Sequence, residues 1–161
     1  MGIREICSSA EAESLIGTPL GRSEGVRIDQ ARIDMFADAT DDHQWIHVDP
    51  ERAASGPYGA TIAHGYLSLS LIPALAGQIY RLGFGTARLN YGTNSVRVPS
   101  PVVVGSTLRA EAAFQDVQRT PQGTRITTRF TLTADDAAKP ACVAETVVLV
   151  IGEQTDPQEH S

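Results

Sequence analysis

The chain has 161 residues, 42% of them hydrophobic and 20% charged, enough for a substantial core and ordinary for a globular protein. Its 13 basic and 19 acidic residues give a net charge of −6, which argues against nucleic acid as the main partner but permits an anionic ligand held by local arginines. Cys7 and Cys142 lie far apart without metal or redox spacing, and Met1-Gly2-Ile3-Arg4-Glu5 is too polar for a signal peptide, so a cytoplasmic protein with two reduced thiols and no membrane anchor is expected.

Residues 1–15 read as a short helix or arm leading to Gly17-Thr18-Pro19-Leu20-Gly21, with a first strand from Arg22 to Ile28. Asp29 is suited to N-cap a helix reaching about Ala39, with Ile33, Phe36 and Ala37 on one face. Asp49-Pro50 repeats the signal, an N-cap followed by proline at the first helical position, and opens a short helix over Glu51 to Ala54. Gly56, Pro57, Tyr58 and Gly59 then form a turn.

From His64 to about Tyr80 runs the longest apolar stretch, with Leu67, Leu69, Leu71, Ile72, Leu75, Ala76 and Ile79. It is apolar almost all round, the pattern of a helix buried at a domain centre. Pro73 should kink that helix or delay its regular part. At 17 residues, with Ser68, Ser70 and Gln78 inside it, the stretch is a poor membrane span.

After Gly83-Phe84-Gly85 the period becomes two, giving strands over Arg88–Val98, Thr107–Val117, Thr124–Thr133 and Ala141–Ile151. Gln122-Gly123 and the Asp135-Asp136 region supply turns, and the polar tail from Glu153 is expected to fray. The predicted fold class is α+β: one apolar helix packed on an antiparallel sheet, within a single domain over residues 1–161.

The segment between the two capped helices concentrates the chemistry. Asp42 and His47 stand five positions apart, a span of at most about 17 Å, so a turn brings both side chains to one water. A carboxylate and an imidazole there can move protons in both directions near neutral pH. The bland alternative is a pair of solvated loop residues. Gly65 opens the apolar helix, where backbone N–H groups can hold an oxyanion. Glycine also lets a helix start pack closely, and both readings can hold together.

Other residues of this region have more than one reading. His64, beside an apolar helix, reads first as a structural histidine. Asp41 reads as a solvent-facing charge or a cap, and Trp45 as packing. The His43 and His47 spacing resembles a zinc helix, but Gln44 stands where such a site needs a glutamate. No metal is therefore expected. Arg81, Arg88 and Arg97 suit phosphate, though plain solvation at strand and helix ends is the first reading for any single one.

These residues also resemble the MaoC-like dehydratases, a family that includes type 2, R-specific enoyl-CoA hydratases and NodN-like nodulation proteins. Phe36, Ala37, Thr40, Asp42, His47 and Asp49 fit its F-A-x-x-[ST]-G-D-x-N-P-x-H-x-D block. Gly59, Ile62, Ala63, His64, Gly65 and Leu67 fit its G-x-x-x-x-I-A-H-G-x-L block. Tyr91, Arg97, Pro99, Pro101 and Gly105 extend the likeness more weakly. Asp41 replaces the usual Gly, Gln44 the usual Asn and Trp45 the usual Pro, and Asp-His-Gln-Trp-Ile-His is similar to the NodN-like branch.

The resemblance implies a hot dog fold, in which a sheet wraps a long central helix, and pairing of two subunits as a homodimer. It implies reversible hydration of a trans-2-enoyl thioester to an R-3-hydroxyacyl thioester. Asp42 and His47 would grip the water, and the Gly65 N–H would hold the carbonyl oxygen. Gln44, His64, Tyr66 and Ser68 are the candidate substrate-binding residues. No metal or redox cofactor is expected, coenzyme A entering only as part of the substrate. Two rivals use the same fold: thioester hydrolysis, and a NodN-like accessory role that binds acyl thioesters with little turnover.

Overall fold

A computed structural model describes residues 2–135 and 137–153. Its sheet is built from β2 (Pro19–Arg22), β3 (Val26–Arg27), β5 (Ala87–Arg97), β6 (Thr107–Thr120), β7 (Gly123–Ala134) and β8 (Cys142–Ile151). The order is β2-β6-β7-β8-β5, with β3 also paired to β6, and every pairing in this sheet is antiparallel. Alternation in the last three strands drives the layering, because one face of each strand is buried while the other meets solvent. Phe114, Leu108, Ile126, Phe130 and Leu132 form the inner face, each at most 2% exposed.

Against that face lie α5 (Gly65–Ser70) and α6 (Ile72–Ala76), which contribute Leu67, Ile72 and Leu75 to the same core. The central helix is thus two short segments meeting at Leu71, and Pro73 sits in the first turn of the second, where its missing N–H costs nothing. It ends at Ala76 rather than at Tyr80. Tyr80 instead opens β4 (Tyr80–Leu82), which pairs in parallel with β1 (Arg4–Ile6). The sheet folded around a central helix is the hot dog arrangement.

Both predicted caps are present. The Asp29 carboxylate accepts the Arg32 N–H at the start of α2 (Gln30–Thr40), and Asp49 accepts the Arg52 N–H at the start of α4 (Pro50–Ala54). The β6–β7 hairpin turns through Pro121-Gln122, with Thr120 opposite Gly123. Gly123 has φ 143° and leaves no room for a side chain, since a Cβ there would lie 2.1 Å from the Val150 carbonyl oxygen.

Other expectations shift. Residues 1–15 hold β1 and then α1 (Ser9–Ser14), and the first strand is divided in two. Ser23 interrupts it, exchanging hydrogen bonds with the Ala110 backbone through its own N–H and Oγ, while Gln78 clamps the backbone of Gly25. Glu153 is held in place, its carboxylate accepting from the Ser9 N–H and the Thr124 hydroxyl. The rest of the expected frayed tail, and Asp136 of the predicted turn, lie outside the described residues.

Candidate active site

Between α2 and α4 the chain makes one further helical turn, α3 (Trp45–Val48), which carries His47 inward. His47 is 6% exposed. Its Nδ1 lies 2.6 Å from the Ile62 carbonyl oxygen, so in the neutral ring that nitrogen holds the proton and donates it. The lone pair is left on Nε2. Burial pushes the His47 pKa below the ordinary 6.5; neighbouring His64 adds to this, while the Ile62 carbonyl and Asp42 pull the other way.

Ile62 is itself fixed, its N–H donating to the Ile46 carbonyl and its strand bridge reaching Val103. On the other side Gln30 donates to the His47 carbonyl at 2.8 Å and accepts from Thr61 Oγ1 at 2.5 Å. These buttresses leave no trace in the linear spacing. Gln30 reads only as the residue after a cap, and Thr61 as part of a loop.

Asp42 enters from the end of α2. The preceding Asp41 takes a left-handed conformation, φ 58° and ψ 21°, which terminates the helix and turns the chain toward His47. The Asp42 side chain is 54% exposed. His64 completes the cluster: Asp42, His47 and His64 each offer a ligand-type atom, all within 4.8 Å of one another. The two imidazoles stack at 3.8 Å between centroids and 22° between planes.

Gly65 follows His64 directly and begins α5. His64 makes no side-chain cap, and the N–H groups of Gly65 and Tyr66 have no acceptor among the described residues. An ideal Cβ on Gly65 would lie 3.3 Å from both γ-methyls of Val98. Ser68, one turn further on, is 2% exposed. Gln44 and Tyr66 are exposed, Tyr66 at 76%.

Two of the three candidate arginines are occupied. Arg88 donates to the carbonyls of Leu82 and Phe84, and Arg97 to that of Val96. His43 pairs with Asp38 at 2.8 Å on the outside of the loop, away from His47. Beyond α5 a cavity of about 920 Å³ opens between the central helices and the β5–β8 side of the sheet, lined by Leu69, Ile72, Tyr80, Phe130 and Val148 with Arg81 and Arg88 also at its wall.

A family model described as a MaoC like domain matches residues 11–136. The chain belongs to the MaoC-like dehydratase family. It is 47% identical over 147 residues to 3-hydroxyacyl-thioester dehydratase Z of Mycobacterium tuberculosis, spanning 91% of this chain and 97% of that protein. It is 41% identical over 156 residues to Nodulation protein N of Rhizobium leguminosarum bv. viciae, spanning 95% of each. Among solved structures, an (R)-hydratase from A. caviae involved in PHA biosynthesis superposes with a TM-score of 0.69 at 27% identity, over 84% of this chain and 96% of that one. The two motif blocks thus fall within a MaoC-like domain, and the fold expected from them is the fold observed.

Proposed function

We propose that this MaoC-like protein reversibly adds water to a trans-2-enoyl thioester, forming an R-3-hydroxyacyl thioester. The observation that carries the reading is the buried His47, whose bond to the Ile62 carbonyl leaves an unprotonated Nε2 in the cluster with Asp42. That nitrogen takes a proton from water as the water oxygen attacks Cβ. The double-bond electrons move to Cα and the carbonyl oxygen, which the Gly65 N–H stabilises. The His47 imidazolium then returns its proton to Cα as the carbonyl re-forms, so the residue ends as it began. Asp42 accepts a hydrogen bond from the other water hydrogen and fixes the angle of attack. The family resemblance and the (R)-hydratase relative support the R configuration.

Of the four candidate substrate-binding residues, Ser68, Gln44 and Tyr66 are proposed to surround the substrate, with Gln44 and Tyr66 at the exposed mouth, while the buried His64 acts through its neighbours Asp42 and His47. The proton-transfer pair accounts for the chemistry without metal or redox cofactor, and coenzyme A enters as the thioester carrier. Two copies are proposed to pair through β5. This edge strand is 11 residues long and leaves Leu89 and Tyr91 about half exposed, an unprotected edge suited to pairing. Among the described residues no helix is long and apolar enough to cross a membrane, and a cytoplasmic location is proposed.

The test follows enoyl absorbance with crotonyl-CoA and a longer trans-2-enoyl-CoA, then resolves the product on a chiral column. R product is expected, with kcat lowered at least about 10²-fold in both Asp42→Asn and His47→Ala. Wild-type turnover in either folded variant refutes the assignment. The likeness to Nodulation protein N supports a second reading, an acyl-thioester-binding accessory protein. Tight binding unchanged in Asp42→Asn, with no product, would establish it. Release of free thiol at constant enoyl absorbance would instead indicate hydrolysis.

A further inference from the structure

His64 is 2% exposed, yet its ring nitrogens are used unevenly. Nε2 lies 2.9 Å from the Asp42 carbonyl oxygen, so in the neutral ring it holds the proton and donates it. Nδ1 is buried with no partner among the described residues, a condition that costs about 1–3 kcal/mol for a polar atom. The ring packs at 5.0 Å from Phe36 and stacks on His47. An apolar ring of similar size would fill this space without the unpaired nitrogen. Packing alone therefore does not account for a histidine here.

What the imidazole adds is the N–H aimed at the backbone of Asp42. That carboxylate needs such support, because its side chain is half exposed and follows a left-handed turn at Asp41. No side-chain hydrogen bond holds it among the described residues, and its Oδ2 stands 4.0 Å from His64 Nε2, outside hydrogen-bond range. One ring thus ties the carbonyl of the residue bearing the carboxylate and lies against the ring of the base. We propose that His64 is a positioning residue, which in its Nε2–H tautomer holds Asp42 in register with His47.

This assignment rests on the hydratase reading and goes beyond it, giving His64 a role that needs no contact with the substrate. Two substitutions separate the parts. His64→Phe keeps the stacked, buried ring and removes the donor. His64→Gln places an amide N–H near the position of Nε2 and can still reach the Asp42 carbonyl. With crotonyl-CoA, the Phe variant should lose about 10- to 100-fold in kcat, the scale of a small misplacement of catalytic groups, while KM stays within about threefold. The Gln variant should recover most of that loss. Unchanged kcat in the Phe variant, or equal loss in both, overturns the proposal.

A second readout needs neither turnover nor variants. Nitrogen-15 spectra of labelled histidines in the wild-type protein should show His64 as the Nε2–H tautomer and His47 as the Nδ1–H tautomer. The opposite tautomer at His64 overturns the proposal even if the variants fail to fold. If the wild type hydrates no enoyl thioester, the hydratase reading fails by that result. The tie is then tested through the Asp42 carbonyl carbon-13 shift, which should move in His64→Phe and hold in His64→Gln; equal movement in both overturns it.

Discussion

Replacing Gly65 by alanine separates packing from chemistry at the start of the central helix. The backbone there is not in the left-handed region, so alanine meets no conformational barrier. In a helix alanine gains about 0.5–1 kcal/mol over glycine, less at a terminal position. Against this stands the new Cβ, 3.3 Å from both γ-methyls of Val98 and 3.7 Å from its Cβ. Overpacking of this kind costs about 1–3 kcal/mol in a rigid core. Val98 is 49% exposed and free to yield a few tenths of an ångström, which places the cost at the low end.

The two effects nearly cancel, leaving a net change of about 1 kcal/mol or less and a melting shift of at most about 4 °C. Turnover should respond differently. The methyl occupies the gap between the Gly65 backbone and Val98, beside the N–H assigned to the thioester oxygen. The N–H itself is retained, so the loss comes from the methyl holding the thioester oxygen off it, up to the roughly 10²–10³-fold in kcat that one such donor contributes. Initial rates with crotonyl-CoA and a thermal melt on the same preparation read both quantities. A folded Gly65→Ala protein with kcat within about threefold of wild type would refute the crowding, showing that the thioester oxygen does not lie where a Cβ on residue 65 displaces it.

The remaining predictions concern pH and the edges of the site. Because burial holds His47 below 6.5, its Nε2 stays available as a base at pH 6.5, and kcat/KM should fall only at more acidic pH. An acid limb centred at or above 6.5 contradicts this. The same depression means that stability contributed above pH 6.5 is lost as pH falls from 6.5 through the folded-state value, and His47→Asn should flatten that part of a melting-temperature profile. Burial pushes the Glu153 carboxyl up, but hydrogen bonds from Ser9 and Thr124 and the nearby Arg119 charge outweigh it and hold it below 4.5. Its stabilisation is therefore present above pH 4.5 and lost as pH falls through the folded-state value. Glu153→Ala should cost about 1.5–3 kcal/mol by thermal melt near neutral pH, and an unchanged melting point refutes the tie. Asp41→Gly relieves a left-handed side-chain residue and should stabilise by up to about 1 kcal/mol with kcat unchanged; a fall in kcat would place the Asp41 carboxylate in the reaction.

What the sequence made legible was local. Asp29 and Asp49-Pro50 announce helix starts because a cap is a contact over three residues, and both side chains make it. The two-residue alternation of β6, β7 and β8 is equally local in cause, since each strand buries one face. The pairing of β1 with β4 joins Glu5 to Arg81, a relation set by tertiary docking that no window of sequence contains. The division of the first strand likewise depends on Gln78, whose side chain reaches Gly25 from 53 positions away.

At the site, spacing placed Asp42 and His47 on one turn, but the tautomer of His47 depends on Ile62, 15 residues distant. The spacing of His64 said only that it adjoins a helix. Its hold on Asp42 spans 22 residues and became visible only once α5 lay beside the loop.

The three departures from the family pattern fall where backbone shape, more than side-chain chemistry, is at stake. Asp41, in place of glycine, is the left-handed C-cap of α2, a conformation that aspartate tolerates better than most residues. Trp45, in place of proline, is the first residue of α3, the helical position proline favours. Gln44 before it has φ −58° and ψ 136°, the extended shape a following proline would impose. The backbone therefore keeps the conformation proline presets, and other contacts hold it. The Arg52 guanidinium lies 4.4 Å from the Trp45 ring centroid, linking α3 to α4, and the indole packs so close to Gly56 that a Cβ there would stand 3.1 Å from it. A cation–π contact of this kind contributes about 0.5–1 kcal/mol at an exposed site. It replaces part of the preorganisation lost with proline. Because the change is absorbed at the start of α3, His47 two residues later still meets the Ile62 carbonyl, and the proposed proton-transfer pair keeps its geometry through a different set of contacts.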